Sequence, residues 1–125
     1  MDKRVRILIA DDQLRARQSM KALLTTAQQV AEVREAVDGR DAVRLIEESQ
    51  PDLVLIDVRM PVMDGLQATR HIKQNWPAIK IIAFSMYPEY ASEAMTAGAD
   101  AFVAKGESPA RFLDTLEGLI TGGCA

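Results

Sequence analysis

At 125 residues the chain is long enough for one two- or three-layer core and too short for two. A mixture of 48% hydrophobic and 26% charged residues argues against intrinsic disorder, and a net charge of −3 matches a phosphate backbone poorly. The apolar runs Ile7 to Ala10 and Leu53 to Ile56 are too short to cross a bilayer, and the single cysteine, Cys124, excludes a disulfide framework and a zinc site.

Val5 to Ala10 reads as a buried β-branched strand bounded by Asp11-Asp12. From Gln13 to about Ala27, Ala16, Met20, Leu23, Leu24 and Ala27 recur at steps of three and four, the mark of an amphipathic helix. Val30 to Val37 is a weaker strand, broken up by Glu32, Arg34 and Glu35, and Asp38-Gly39 turns it into a helix over Asp41 to Glu48. Pro51-Asp52 precedes Leu53 to Asp57, an apolar strand ending on a carboxylate. A loop, Val58 to Pro61, leads to a third helix entered at Asp64-Gly65 and closed near Trp76-Pro77. Ile79 to Phe84 is a fourth strand, Glu89 to Ala97 a fourth helix ended by Gly98, and Ala101 to Ala104 a short fifth strand. Ser108-Pro109 supplies an N-cap and a first-turn proline to a last helix striped by Phe112, Leu113, Leu116, Leu119 and Ile120. Thr121 to Ala125 reads as a loose tail or a cut linker, which sets the domain at 1–121 and the tail at 122–125.

Five strand–helix alternations with apolar strands predict an α/β fold, a doubly wound five-stranded parallel sheet covered by helices on both faces. Strand order 2-1-3-4-5 is expected, a flavodoxin-like (βα)5 three-layer sandwich. Its switch point lies beyond the carboxyl ends of the first and third strands, where Asp11, Asp12 and Asp57 stand. Three converging carboxylates repel unless a hard cation neutralises them, and oxygen ligands with room for water suit Mg2+. Ser85 and Lys105, after the fourth and fifth strands, bring a hydroxyl and an ammonium to the same rim. Taken singly, an aspartate at a strand end is an ordinary turn residue. The five together form the set that phosphoryl transfer needs: an attacking carboxylate, with metal and ammonium to neutralise the transferring group.

These residues stand in the segments Ile7-Leu-Ile-Ala-Asp-Asp12, Asp57-Val-Arg-Met-Pro-Val-Met-Asp-Gly65, Ala83-Phe-Ser85 and Ala97-Gly-Ala-Asp-Ala-Phe-Val-Ala-Lys105. In that order and spacing they resemble the CheY-like receiver domains of bacterial two-component response regulators, from Val5 to about Ile120. The resemblance implies that Asp57 accepts a phosphoryl group from a sensor histidine kinase or a small phosphodonor. It implies Mg2+ held by Asp12, Asp57 and the backbone carbonyl of Arg59, with Asp11 acting through water. Lys105 would pair with the phosphoryl oxygens, and Ser85 would turn to hydrogen-bond them. Phe102 would rotate inward, changing the surface of the fourth helix, fifth strand and fifth helix. Such a phosphoprotein is a switch that catalyses only its own phosphorylation and dephosphorylation, not an enzyme with an external substrate.

Two positions depart from many receivers. Gly106 follows Lys105 where Lys-Pro is frequent, and Met86 stands where Ala is frequent. Both resemble receivers joined to LuxR/NarL-type helix-turn-helix output domains. The expectation is then transcription regulation through an output domain outside this chain, with DNA contacted only by that domain. A stand-alone CheY-like signalling protein is the alternative; a small aspartate-based phosphatase fits less well, because Asp57-Val58-Arg59 lacks the Asp-x-Asp of a dehalogenase-type site. With no apolar leader after Met1-Asp2-Lys3-Arg4 and no spanning run, the expected location is the cytoplasm, away from membranes.

Charge is unevenly spread. Residues 1–21 hold six basic and three acidic groups, whereas residues 85–125 hold two basic and six acidic. The basic face Arg15, Arg17 and Lys21 and the acidic groups Glu107, Asp114 and Glu117 suggest a weak homodimer that phosphorylation strengthens. Met86, Tyr87 and Arg59 are expected to crowd the entrance to Asp57. Met63 reads as an apolar plug under its loop, and the only histidine, His71, as a solvent-facing helix residue.

Overall fold

A computed structural model describes residues 4–121, so Asp2, Lys3, Cys124 and the tail 122–125 lie outside the described residues. Five parallel strands form one sheet in the order β2-β1-β3-β4-β5: β1 (Val5–Ala10), β2 (Val30–Ala36), β3 (Leu53–Asp57), β4 (Lys80–Ser85) and β5 (Ala101–Ala104). Helices α1 (Leu14–Leu24), α2 (Gly39–Glu48), α3 (Gly65–Asn75), α4 (Ala91–Ala97) and α5 (Pro109–Thr121) connect and cover it. Every residue of the central strand β3 is buried, which is why its sequence is a continuous apolar run. The edge strand β2 is buried only at its two ends, and this explains the polar interruptions at Glu32, Arg34 and Glu35.

Alternate strand residues face two separate cores. Leu8, Ala10, Val54, Ile56, Ile81 and Ala83 pack against Ala42 and Ile46 of α2, Ala68 and Ile72 of α3 and Ala94 of α4. Ile7, Ile9, Leu53, Leu55, Ile82 and Phe84 pack on the opposite face against Leu24 of α1 and Phe112 and Leu116 of α5. Most of these side chains are fully enclosed, so truncating one to Ala would cost about 2–5 kcal/mol.

The helix entrances follow from their caps. Asp64 accepts the Gln67 N–H at 2.8 Å while the Gln67 side chain accepts the Asp64 N–H at 3.2 Å, a complete capping box. The Asp38 carboxylate caps α2 by accepting the Asp41 N–H, so this helix begins at Gly39, two residues before the expected start. The Ser108 hydroxyl accepts the Arg111 N–H, as its position before Pro109 predicts.

Other boundaries also differ from the periodicity. Helix α1 ends at Leu24, not near Ala27, because the hydroxyls of Thr25 and Thr26 return to the carbonyls of Ala22 and Leu23 and the chain tightens into a turn. Ala27 still packs into the core, but from that turn. Pro88 to Tyr90 form a 3₁₀ turn, so α4 starts at Ala91 and not at Glu89. Strand β4 runs one residue further than expected and includes Ser85.

Candidate functional site

Parallel register delivers the site. Ala10 pairs with Ile56, so the next residues, Asp11 and Asp57, emerge side by side at the carboxyl ends of β1 and β3. Asp57 pairs with Phe84, and Ser85 pairs with Ala104, which sets Ser85 and Lys105 along the same rim; the Lys105 N–H donates to the Ser85 carbonyl at 2.7 Å. Gly65 lets the β3–α3 loop fold under Asp57, since a Cβ there would lie on the Asp57 carbonyl oxygen. Its N–H donates to the Val58 carbonyl at 2.8 Å.

Asp11, Asp12 and Asp57 each offer a carboxylate oxygen within 4.8 Å of the others. Asp11 is fully enclosed and Asp57 nearly so, whereas Asp12 is exposed. The Lys105 ammonium lies 3.1 Å from Asp11 Oδ2 and 3.4 Å from Asp57 Oδ2, with the Phe84 ring 5.0 Å away. The Arg59 N–H approaches Asp57 Oδ1 at 3.4 Å. Burial pushes the Asp57 carboxyl above its ordinary value; Lys105 pulls it down and Asp11 adds to the rise, with a net upward shift. One ammonium against three carboxylates leaves negative charge uncompensated. All-oxygen donors of this kind fit a hard divalent ion, so the residues present suit Mg2+.

A cleft of about 280 Å³ opens above Asp57 between Gln13, Arg59, Ser85, Met86, Tyr87 and Lys105. Met86 and Tyr87 are exposed at its lip, and the Arg59 guanidinium lies 5.6 Å from the Tyr87 ring. The expected crowding is therefore present. A second hollow of about 480 Å³ adjoins it, sharing Asp12 and Arg59 and bounded by Asp64, Leu66 and Tyr90.

Residues 7–117 match the family model described as the response regulator receiver domain. The chain belongs to the response regulator receiver domain family. It is 38% identical to the Bacillus subtilis transcriptional regulatory protein YhcZ, over 89% of this chain and 53% of that protein. It is 31% identical to the response regulator protein VraR of Staphylococcus epidermidis, over 90% of this chain and 54% of that protein. The chain thus spans about half the length of the curated relatives it matches. Among solved structures it resembles a LuxR-family two-component response regulator from Aurantimonas sp. SI85-9A1, with a TM-score of 0.89 and 34% identity over 96% of this chain and 87% of that one. It likewise resembles a LuxR-family DNA-binding response regulator from Staphylococcus aureus, with a TM-score of 0.86 and 30% identity over 94% of this chain and 99% of that one.

Within this receiver, Ser85 is buried and its hydroxyl accepts the Tyr87 N–H at 3.0 Å, leaving its own proton to donate. Phe102 is half-buried and packs with the α2–α3–α4 core. The glycine after Lys105 has a backbone reason: Gly106 sits at φ +97°, which a proline ring forbids. Val62, at φ +70°, marks strain in the β3–α3 loop that no motif announces. Met63 packs under that loop against the core. His71 is half-buried on α3, its ring 6.1 Å from Trp76, and takes no part in the site.

The basic face of α1 is smaller than its sequence suggests. Arg17 turns inward to Glu35 at 3.0 Å and Lys21 reaches the same carboxylate at 3.5 Å, leaving Arg15 on the exposed surface. Phe84, Arg17 and Glu35 frame the site without having been legible as members of it. Their signal is register and distance across the sheet, not motif.

Proposed function

We propose that Asp57 is the phospho-acceptor of this receiver. What supports the reading is that Asp57 is a nearly enclosed carboxylate whose charge is held at a cost, beside one lysine and two further carboxylates. The Asp57 carboxylate oxygen forms a bond to phosphorus as the donor's bond to phosphorus breaks, the electron pair leaving with the donor atom. When the donor is a sensor histidine kinase, that atom is a histidine nitrogen; a small acyl phosphate leaves as its carboxylate. Mg2+ would be held by Asp12, Asp57 and the Arg59 carbonyl, with Asp11 through water, and supplies charge neutralisation at the phosphoryl oxygens. Lys105 pairs with the same oxygens, and this draws its ammonium away from Asp11. Ser85 donates its hydroxyl proton to the new group, and Phe102 follows into the space that Ser85 vacates, altering the α4–β5–α5 surface.

The role is a switch whose catalysis is confined to its own phosphorylation and dephosphorylation. By likeness to relatives named as transcriptional regulators, we assign its output to transcription, with residues 1–121 as the receiver and 122–125 as the start of a connection to an output domain that contacts DNA. No helix among the described residues is long and apolar enough to cross a membrane. The same likeness to transcriptional regulators is our ground for assigning the protein to the cytoplasm. A weak homodimer strengthened by phosphorylation, through α1 and α5, completes the proposal. Sedimentation that stays strictly monomeric with and without beryllofluoride would exclude the dimer.

The deciding experiment is intact mass after incubation with acetyl phosphate and Mg2+. The wild type is expected to gain one phosphoryl group and Asp57→Asn none. A wild type that gains nothing overturns the reading; a labelled Asp57→Asn overturns the site.

A further inference from the structure

Arg17 lies on α1, six residues after Asp11, yet the fold draws it inside: its side chain is only 12% exposed. Its guanidinium bonds in two directions. Nη1 donates to the Asp11 carbonyl oxygen at 2.7 Å, and Nε donates to Glu35 Oε1 at 3.0 Å on β2. Lys21 holds the other Glu35 oxygen at 3.5 Å. Arg17 is thus anchored to the sheet edge while it grips the backbone of the acidic turn.

The two aspartates of that turn are held very differently. The Asp11 N–H donates to the Ala36 carbonyl at 3.1 Å, and its carboxylate accepts from the Gln13 N–H at 2.9 Å and from Lys105 at 3.1 Å. The Asp12 side chain is exposed, and among the described hydrogen bonds and ion pairs none reaches its carboxylate. Its placement therefore depends on the backbone. The Asp11 carbonyl and the Asp12 N–H belong to one planar trans peptide, so pinning the oxygen fixes the plane from which Asp12 projects. We infer that Arg17 is a positioning residue for the divalent-cation site, aiming Asp12 at Asp57 by holding the Asp11–Asp12 peptide. The inference rests on the reading of the three aspartates as a Mg2+ site.

Electrostatics alone demands the opposite behaviour. Arg17 is a positive charge beside a cation site, so on Coulombic grounds its removal would tighten Mg2+ binding. Positioning requires removal to weaken it. A purely structural residue would lower stability and leave affinity for the ion unchanged in the folded protein. The three roles differ in the sign of one measurement.

The test is calorimetric titration of Mg2+ into the full chain, for wild type, Arg17→Met, Arg17→Lys and Arg15→Met, at a temperature where circular dichroism shows each folded. Arg17→Met is expected to raise the Mg2+ Kd at least five-fold. Arg17→Lys keeps the charge but cannot hold the Asp11 carbonyl and Glu35 together, and is expected to weaken binding at least three-fold. It carries the test if Arg17→Met does not fold. Arg15→Met removes the same charge from the exposed face of α1 and is expected to change Kd less than two-fold. An Arg17→Met protein that binds Mg2+ as tightly as wild type, or more tightly, overturns the inference, whatever its stability. A wild type that binds no Mg2+ overturns the cation-site reading and the inference with it.

Discussion

Each end of the sheet carries a partly buried lysine–aspartate pair, and the two pairs are built to different standards. At the amino end, the Lys73 ammonium lies 2.8 Å from Asp100 Oδ2 and donates to the Ile79 carbonyl at 2.7 Å. The same Asp100 oxygen accepts the Ile81 N–H at 2.8 Å, so one cation meets one carboxylate and their hydrogen bonds are made. At the carboxyl end, Lys105 stands 3.1 Å from Asp11 and 3.4 Å from Asp57, with Asp12 close by, so one cation serves three carboxylates. The first arrangement clamps α3 to β4 and the turn before β5. The second leaves a charge unmet, which is what a phosphoryl-transfer site requires and a structural pair avoids.

Removing either lysine sharpens the contrast. Lys105→Met takes away the cation that faces Asp57, and labelling by acetyl phosphate is expected to slow about 100-fold, the loss typical for one donor to a developing anion. Rates followed by intact mass would check it; a fall of less than three-fold would make Lys105 a structural residue like Lys73. Lys73→Met should do the converse. It strands a partly buried carboxylate, so urea unfolding is expected to show a loss of about 2 kcal/mol, with the labelling rate unchanged within two-fold.

A smaller effect follows from the raised Asp57 carboxyl. The folded protein holds this proton to higher pH than the unfolded chain does, because burial disfavours the charge. Wild-type stability therefore falls as pH rises through the interval between the ordinary value of 3.8 and the raised folded value. Asp57→Asn, neutral and nearly isosteric, escapes that loss. Without Mg2+ its thermal midpoint is expected to exceed that of wild type at pH 7, the margin closing as pH falls toward 3.8. A midpoint below that of wild type at pH 7 would show that Lys105 already compensates Asp57.

The smallest effect concerns the lip of the cleft. Met86 is 72% exposed beside Tyr87, so Met86→Ala opens the approach of water while leaving the charges in place. The phosphorylated form is expected to decay about two-fold faster, as read from the loss of labelled mass with time. An unchanged lifetime would show that Met86 does not limit access.

Much of this architecture was legible locally. Leu53 to Asp57 could be read to the residue because a strand buried on both faces must be apolar throughout and stops where its first carboxylate appears. The entrance to α3 was legible at Asp64-Gly65 because a cap acts within four residues. The far end of α1 was not, since Ala27 keeps the apolar phase and only the threonine hydroxyls before it divert the chain. Arg17 was misread for a different reason. A basic residue on an amphipathic helix is ordinarily solvated, and what draws this one inside is Glu35, 18 residues away on another element.

The amino-acid order alone thus determined the elements, their parallel arrangement and the set Asp11, Asp12, Asp57, Ser85 and Lys105 at one rim, because burial periodicity and caps act over a few residues. Tertiary structure alone decided how that set is balanced. It brought Lys105 closer to Asp11 than to Asp57, left Asp12 without a side-chain partner among the described contacts, and turned Arg17 toward the backbone that carries it. Those outcomes depend on side chains meeting across separations from six to 94 residues, and only the packed sheet sets such distances.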